Sequence, residues 1–158
     1  MILAALILIL STALFFFYFQ GALHKILRRQ FDREYFRAIV NANRLEFAAV
    51  RKALEEFDAP VDYPRLRMKL RCDFLALTYL LKNAANVNQR YSREERLLVF
   101  YFHLVFISLV ARHWLRLHEK PPVLKLTAIL QYFANVVGQR ADTVRFSNVT
   151  VSDYLLRL

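Results

Sequence analysis

Glycine is nearly missing from this chain, with two residues in 158. That scarcity excludes a turn-rich β architecture, whose tight turns need residues at positive φ, and it excludes the glycine-rich loops that cradle phosphate. Cysteine occurs once, at Cys72, so no internal disulfide can form and a reducing compartment is permitted. Cys72 sits in an apolar-periodic stretch and reads as a small core residue. Acidic residues are also scarce, 13 against 23 Lys and Arg, which leaves a formal charge of +10. A charge of that size calls for an anionic partner: lipid, nucleic acid or an acidic protein surface.

Charge is missing altogether from Ile2 to Phe19, where twelve residues are Leu, Ile or Phe. Eighteen helical residues span about 27 Å, and extension to Leu23 gives about 34 Å, enough to cross a hydrocarbon core. Ser11 and Thr12 can back-bond to their own helix. A cleaved signal peptide would need a basic leading segment and a small-residue cleavage site, but the terminal amine is the only charge before the run and Gln20-Gly21-Ala22-Leu23-His24 offers no A-x-A site. The expectation is an uncleaved anchor. Lys25, Arg28 and Arg29 follow it at once, so the positive-inside rule places the N-terminus outside and the remainder in the cytoplasm. These three residues are candidates for contact with anionic lipid of the cytoplasmic leaflet.

Leu97 to Ala111 is a second uncharged run, of fifteen residues. It would reach only about 22 Å, carries His103 and has basic residues on both flanks, so it is read as a buried core helix.

The 57% hydrophobic content excludes general disorder, and about 130 residues after the anchor suffice for one domain with a real core. Phe36, Val40, Asn43, Phe47, Val50, Leu54 and Phe57 alternate steps of four and three, a heptad seam with one polar member, Asn43, that could set register or face a polar residue of the same chain. No Pro or Gly interrupts this helix before Ala59-Pro60-Val61-Asp62-Tyr63-Pro64, the strongest turn signal. Asp62 is the expected cap of the next helix, whose stripe is Leu66, Leu70, Phe74, Leu77 and Leu81. Asn83, Asn86 and Asn88 weaken its end. Ser92-Arg93-Glu94-Glu95 has capping-box form and opens a helix running to about His118. Pro121-Pro122 begins the last one, with Leu126, Ile129, Leu130, Phe133 and Val137 as its face and Gly138 as its C-terminal cap. From Thr143 the alternation of Val144, Phe146, Val149 and Val151 suggests an extended arm. The Asn148-Val149-Thr150 acceptor pattern is chance on the cytoplasmic side.

The sequence therefore predicts an all-α chain: residues 1–23 a single transmembrane helix, 24–140 a compact antiparallel four-helix bundle, 141–158 a short extended C-terminal arm.

Chemistry-bearing constellations are few. His24, His103, His113 and His118 invite a haem or metal reading, yet His103 and His113 lie about 80° apart in projection, and no C-x-x-C-H, H-E-x-x-H or di-iron E-x-x-H ladder is present. His103 is read as a hydrogen-bonded core residue, and no cofactor or metal is expected. The acids Glu55, Glu56, Asp58, Glu94 and Glu95 fall at helix ends, where capping explains them, so no catalytic role is expected. The densest basic segment holds Arg65, Arg67, Lys69 and Arg71. At about 100° per residue, Arg65 and Lys69 flank one side of the apolar stripe and Arg67 and Arg71 the other. If the preceding helix stands upright, its roughly 27 residues carry this cluster about 40 Å from the membrane, which makes it a candidate surface for a protein partner.

The functional expectation is a non-catalytic accessory, scaffold or assembly subunit of a larger membrane complex, with other subunits of that complex and anionic lipid as partners and nucleic acid disfavoured. The alternative is a membrane-tethered basic module recruiting an anionic ligand, with a haem-binding electron carrier behind it.

Overall fold

Only helices occur among the described residues of the computed structural model, which are 2–29, 31, 34–56, 62–83 and 91–155, with side chains described within 3–143. In chain order they are α1 (Ile2–Leu27), α2 (Phe36–Asn43), α3 (Phe47–Glu56), α4 (Tyr63–Asn83), α5 (Arg93–Trp114) and α6 (Lys120–Leu155). The chain divides into two compact units, Met1–Gln30 and Phe31–Leu158.

The first unit is α1. It is long and apolar enough to cross a membrane, and its most apolar window contains no buried residue. Within it the Thr12 hydroxyl is internally satisfied, donating to the Leu8 carbonyl at 2.7 Å. Phe15 stacks on Phe19 one turn on, with ring centroids 6.1 Å apart.

The second unit is organised on α6, which packs against α2, α3, α4 and α5. Every residue from Tyr132 to Gly138 is buried, so this stretch is enclosed on all sides. The expected face of Leu126, Ile129, Leu130, Phe133 and Val137 is all buried, and Tyr132, Ala134, Asn135 and Val136 join it. The α4 stripe of Leu66, Leu70, Phe74, Leu77 and Leu81 is buried as its spacing predicts. Phe74 stacks on Phe102 of α5 with centroids 3.9 Å apart. Burying such aromatic pairs removes large apolar areas from water and adds about 0.5–1.5 kcal/mol per pair beyond the area term.

The capping box at the start of α5 forms as the sequence requires. Ser92 Oγ accepts the Glu95 N–H at 3.2 Å, and the Glu95 carboxylate accepts the Ser92 N–H at 3.0 Å. Asp62 stands at the start of α4, where its carbonyl accepts the Leu66 N–H at 2.9 Å.

Three sequence expectations are corrected. The continuous helix through Asn43 is two helices, because Arg44 takes a left-handed conformation (φ 52°, ψ 42°) that ends α2, and α3 restarts at Phe47. Both new N-termini are satisfied from far along the chain: Asn135 Oδ1 accepts the Phe36 N–H at 2.9 Å, and Asp73 Oδ2 accepts the N–H groups of Glu46 at 2.9 Å and Phe47 at 2.7 Å. Gly138 caps nothing. It lies inside α6, where a Cβ would stand 2.2 Å from the Cβ of Tyr35, so the missing side chain makes room for the entry to α2. Finally, the backbone expected to form an extended arm continues α6 to Leu155. The seam position Phe57, the turn residues Ala59 to Val61, and Asn86 and Asn88 lie outside the described residues.

Candidate functional surface on α4 and α5

A helix that buries one stripe ordinarily turns a polar face to water. α4 does not. Opposite its buried stripe, Met68, Cys72, Leu75 and Tyr79 recur at steps of four, three and four, all exposed, with Met68 at 69%. The free thiol of Cys72 is therefore on the surface and not in the core. α5 repeats the pattern: Leu98, Phe102, Val105 and Leu109 are buried beside Glu95, while Phe100, Leu104, Ile107 and Trp114 are exposed, Ile107 at 64% and Trp114 at 85%. Leu97 to Ala111 is thus core along one stripe only. By length and composition α5 also meets the requirement for a membrane span, with 22% of its apolar window buried.

α4 and α5 are joined along a line of ring contacts. Tyr63 stacks on His113 with centroids 3.6 Å apart, the Arg67 guanidinium lies 5.8 Å from the Phe106 centroid, Phe74 meets Phe102, and the Tyr91 hydroxyl donates to the Thr78 carbonyl at 3.2 Å. Lys82 Nζ stands 5.9 Å from the Tyr91 centroid. The Tyr63 hydroxyl is buried with no hydrogen-bond partner, and burial raises its pKa above the ordinary tyrosine value. His113 Nδ1 approaches Glu119 Oε1 at 2.6 Å across the turn into α6.

Electrostatically the surface is one-sided. Between Tyr63 and Asn83, and between Arg96 and His118, the only acid is Asp73, which is buried and committed to the start of α3. Its carboxyl is held above the ordinary aspartate value mainly by loss of solvent, against which the two backbone N–H groups act. Arg65, Arg67, Arg71 and Lys82 are all exposed.

The four basic residues of this segment lie on the two flanks of the α4 stripe. Lys69 Nζ pairs with Glu46 Oε2 at 2.5 Å, toward α3, whereas Arg67 covers Phe106, toward α5. Helical spacing puts Arg65 on the Lys69 flank and Arg71 on the Arg67 flank. The break at Arg44 also removes the upright 27-residue helix on which their distance from a membrane was reckoned. Asn43 is the last residue of α2 and exposed, its amide donating to the Ile39 carbonyl at 2.9 Å, so it occupies no seam. Lys25, Arg28 and Arg29 are exposed around the C-terminal end of α1, where cations complement the unsatisfied carbonyls. His103 is hydrogen-bonded as expected, Nδ1 lying 2.7 Å from the Val99 carbonyl, but it is exposed on the outer side of α5 and meets Phe74 edge-on. Among the described residues no three His, Cys, Asp or Glu side chains gather in metal-binding proximity.

An open groove of about 390 Å³ lies elsewhere, lined by Phe36, Arg37, Phe47, Arg51, Lys52 and Gln131 among others. Its central cation is already engaged, since Arg51 binds both Glu55 and Gln131. The outer apolar residues of α4 and α5 are what the sequence reading missed. The signal was available: Met68, Cys72, Leu75 and Tyr79 form a second helical stripe, and α5 is apolar all round.

No protein-family model, no curated protein and no solved structure matches this chain.

Proposed function

We propose that the protein is a non-catalytic accessory or assembly subunit of a larger membrane complex, anchored by α1 as a single crossing, with its N-terminus outside and the second unit in the cytoplasm. The observation that carries this reading is the coexistence of two exposed apolar surfaces with a filled core: α1 buries nothing in its apolar window, and α4 and α5 leave Met68, Leu75, Phe100, Ile107 and Trp114 in the open although their inner stripes are fully used. Surfaces of that kind are left for something other than water. Orientation follows from the cations after α1 and none before it.

The finer architecture in this proposal is an antiparallel bundle. It is supported for α4 and α5 by the contacts of Tyr63 with His113, Arg67 with Phe106 and Phe74 with Phe102, whose order reverses between the helices, and by that of Thr78 with Tyr91 just before α5. α5 then remains a packed helix and not a second crossing, since it buries Glu95 and four apolar residues against its neighbours. Arg65, on the α4 flank toward α3 beside the Lys69–Glu46 pair, is assigned to an acidic surface of a protein subunit.

Extraction in mild detergent, with identification of the proteins that co-purify in fixed proportion, tests the proposal. A fixed set of membrane subunits is the expected result, and a protein recovered alone from its native membrane refutes it. A second reading, a tethered basic module for an anionic ligand, is favoured by the acid-free surface of α4 and α5. Nucleic acid as that ligand would be recognised by affinity that falls steeply with rising salt.

A further inference from the structure

We propose that the outer face of α4 and α5 docks on the surface of an anionic phospholipid bilayer. This deepens the membrane-anchored reading above and rests on it.

Three cations mark the line where the two helices meet. Arg67 lies over Phe106, Lys82 lies over Tyr91, and Arg71 stands one turn beyond Arg67. From the first to the last the line runs about 22 Å at helical rise. Apolar side chains border it on both sides: Met68, Leu75 and Tyr79 on α4, and Phe100, Ile107 and Trp114 on α5, all exposed. No exposed acid interrupts this face, because Asp73 is turned inward to Phe47.

Each component has a counterpart in a bilayer surface. Cations meet lipid phosphates, aliphatic side chains enter the acyl boundary about 5–10 Å deep, and amphipathic aromatics such as Trp114 and Tyr79 settle at headgroup level. A nucleic acid would answer the cations and leave both apolar borders in water. A protein would have to present acids in a row between two apolar strips in register, whereas a fluid bilayer supplies phosphate and acyl chain wherever the face lands. Tethering through α1 raises the effective concentration of that surface, so weak docking suffices.

Trp114 is the only tryptophan and Cys72 the only cysteine, so the native chain carries one intrinsic probe and one labelling site on this face. The full-length protein is reconstituted into vesicles of phosphatidylcholine alone or with phosphatidylglycerol, and Trp114 emission is read with aqueous iodide and with acyl-brominated lipid as quenchers. The expected result is a blue shift, iodide shielding and brominated-lipid quenching in the anionic vesicles, with water-like emission in the neutral ones. An environment-sensitive label on Cys72 should report the same difference. Arg67→Glu/Arg71→Glu/Lys82→Glu should return the emission in anionic vesicles to the neutral-vesicle value while the protein still floats with both. Equal emission in the two lipids overturns the proposal. So does shielding from iodide without quenching by brominated lipid, which marks a second copy of the chain on this face. Failure to float with neutral vesicles refutes anchoring by α1 instead; the blue shift on anionic vesicles then still upholds docking.

Discussion

Asp73, in the middle of α4, accepts the backbone N–H of Phe47 at 2.7 Å and so closes the start of a helix 26 residues earlier in the chain. The same Oδ2 accepts from Glu46 at 2.9 Å. Removing this acceptor leaves a buried N–H at Phe47 without a partner and a short helix without a cap. Asp73→Ala should destabilise the second unit by about 2–3 kcal/mol, measured by chemical denaturation, with α3 losing amide protection first. The carboxyl also titrates in a diagnostic direction. Loss of solvent raises its pKa in the folded state, so between about 3.9 and that raised value the folded chain holds more protons than the unfolded one. Asp73 therefore favours the fold at low pH, and its contribution is lost as pH rises through the folded pKa. Asp73→Asn keeps an acceptor and should flatten stability across that window; an unchanged slope would assign the titration elsewhere.

Tyr35 packs against Gly138 where α6 passes the entry to α2. Gly138→Ala should gain about 1 kcal/mol of helix propensity, yet its Cβ would lie 2.2 Å from the Tyr35 Cβ, an overlap costing about 1–3 kcal/mol. Net destabilisation of up to about 2 kcal/mol is expected, along with strain on the 2.7 Å bond from the Tyr35 hydroxyl to Asp142. In a Tyr35→Gly background the same substitution should become stabilising. Melting curves of the four proteins in this cycle check the pair directly.

These two sites mark what the sequence does and does not disclose. Local signals were legible: the apolar run of α1, the stripe from Leu66 to Leu81, and the capping box at Ser92 all act through neighbours three or four residues away. What escaped depends on residues far apart in the chain. The break after Asn43 is held by Asp73, 26 residues beyond Phe47, and the start of α2 by Asn135, 99 residues beyond Phe36, and no local pattern encodes either cap. Glycine misled for the same reason. Gly138 has the composition of a helix stop and serves a packing contact, while the left-handed ends of α2 and α5 fall on Arg44 and Arg116, both at φ 52°. The outer stripes of α4 and α5 were visible as periodicity, but a pattern that fits a core does not say which of two apolar faces is buried.

Those arginines allow a direct check. At Arg116 the chain forms both Schellman bonds, Leu117 N–H to the Arg112 carbonyl at 2.8 Å and Arg116 N–H to the His113 carbonyl at 3.1 Å. A left-handed non-glycine residue costs about 1–2 kcal/mol, and glycine returns about 0.5–1 kcal/mol of that as extra unfolded-chain entropy. Arg44→Gly and Arg116→Gly should each therefore stabilise, by up to about 1.5 kcal/mol, and the midpoint of thermal unfolding should rise in both.

Glu95 belongs to two structures at once. Besides the capping box it pairs with Arg140 Nη2 at 2.5 Å, and Arg140 Nη1 donates to the Leu81 carbonyl at 2.8 Å, so one part-buried ion pair ties the start of α5 and the end of α4 to α6. Arg140→Met would strand the Glu95 carboxylate, which is almost completely buried, at a cost of about 3–5 kcal/mol. Adding Glu95→Gln should recover part of this, because the stranded charge is gone while the cap to Ser92 can persist. Recovery in the double variant, read by denaturant unfolding, is the deciding observation. Additive losses would mean that the pair is not coupled.

The two faces of α5 can be separated with one substitution on each. Leu109 is fully buried, whereas Ile107, two residues earlier, is 64% exposed. An aspartate at Leu109 must enter the core without a partner, so Leu109→Asp should unfold the second unit, at a cost of several kcal/mol, while α1 still holds the chain in the membrane. Ile107→Asp places the same charge in solvent and should change the unfolding midpoint little, within about 0.5 kcal/mol. Its effect should appear on anionic vesicles, where a carboxylate between the cation line and Trp114 opposes both the phosphates and the acyl boundary and Trp114 emission returns toward that in water. If Ile107→Asp instead unfolds the protein as Leu109→Asp does, the outer face of α5 is core, covered by packing within the chain, and the docking surface does not exist.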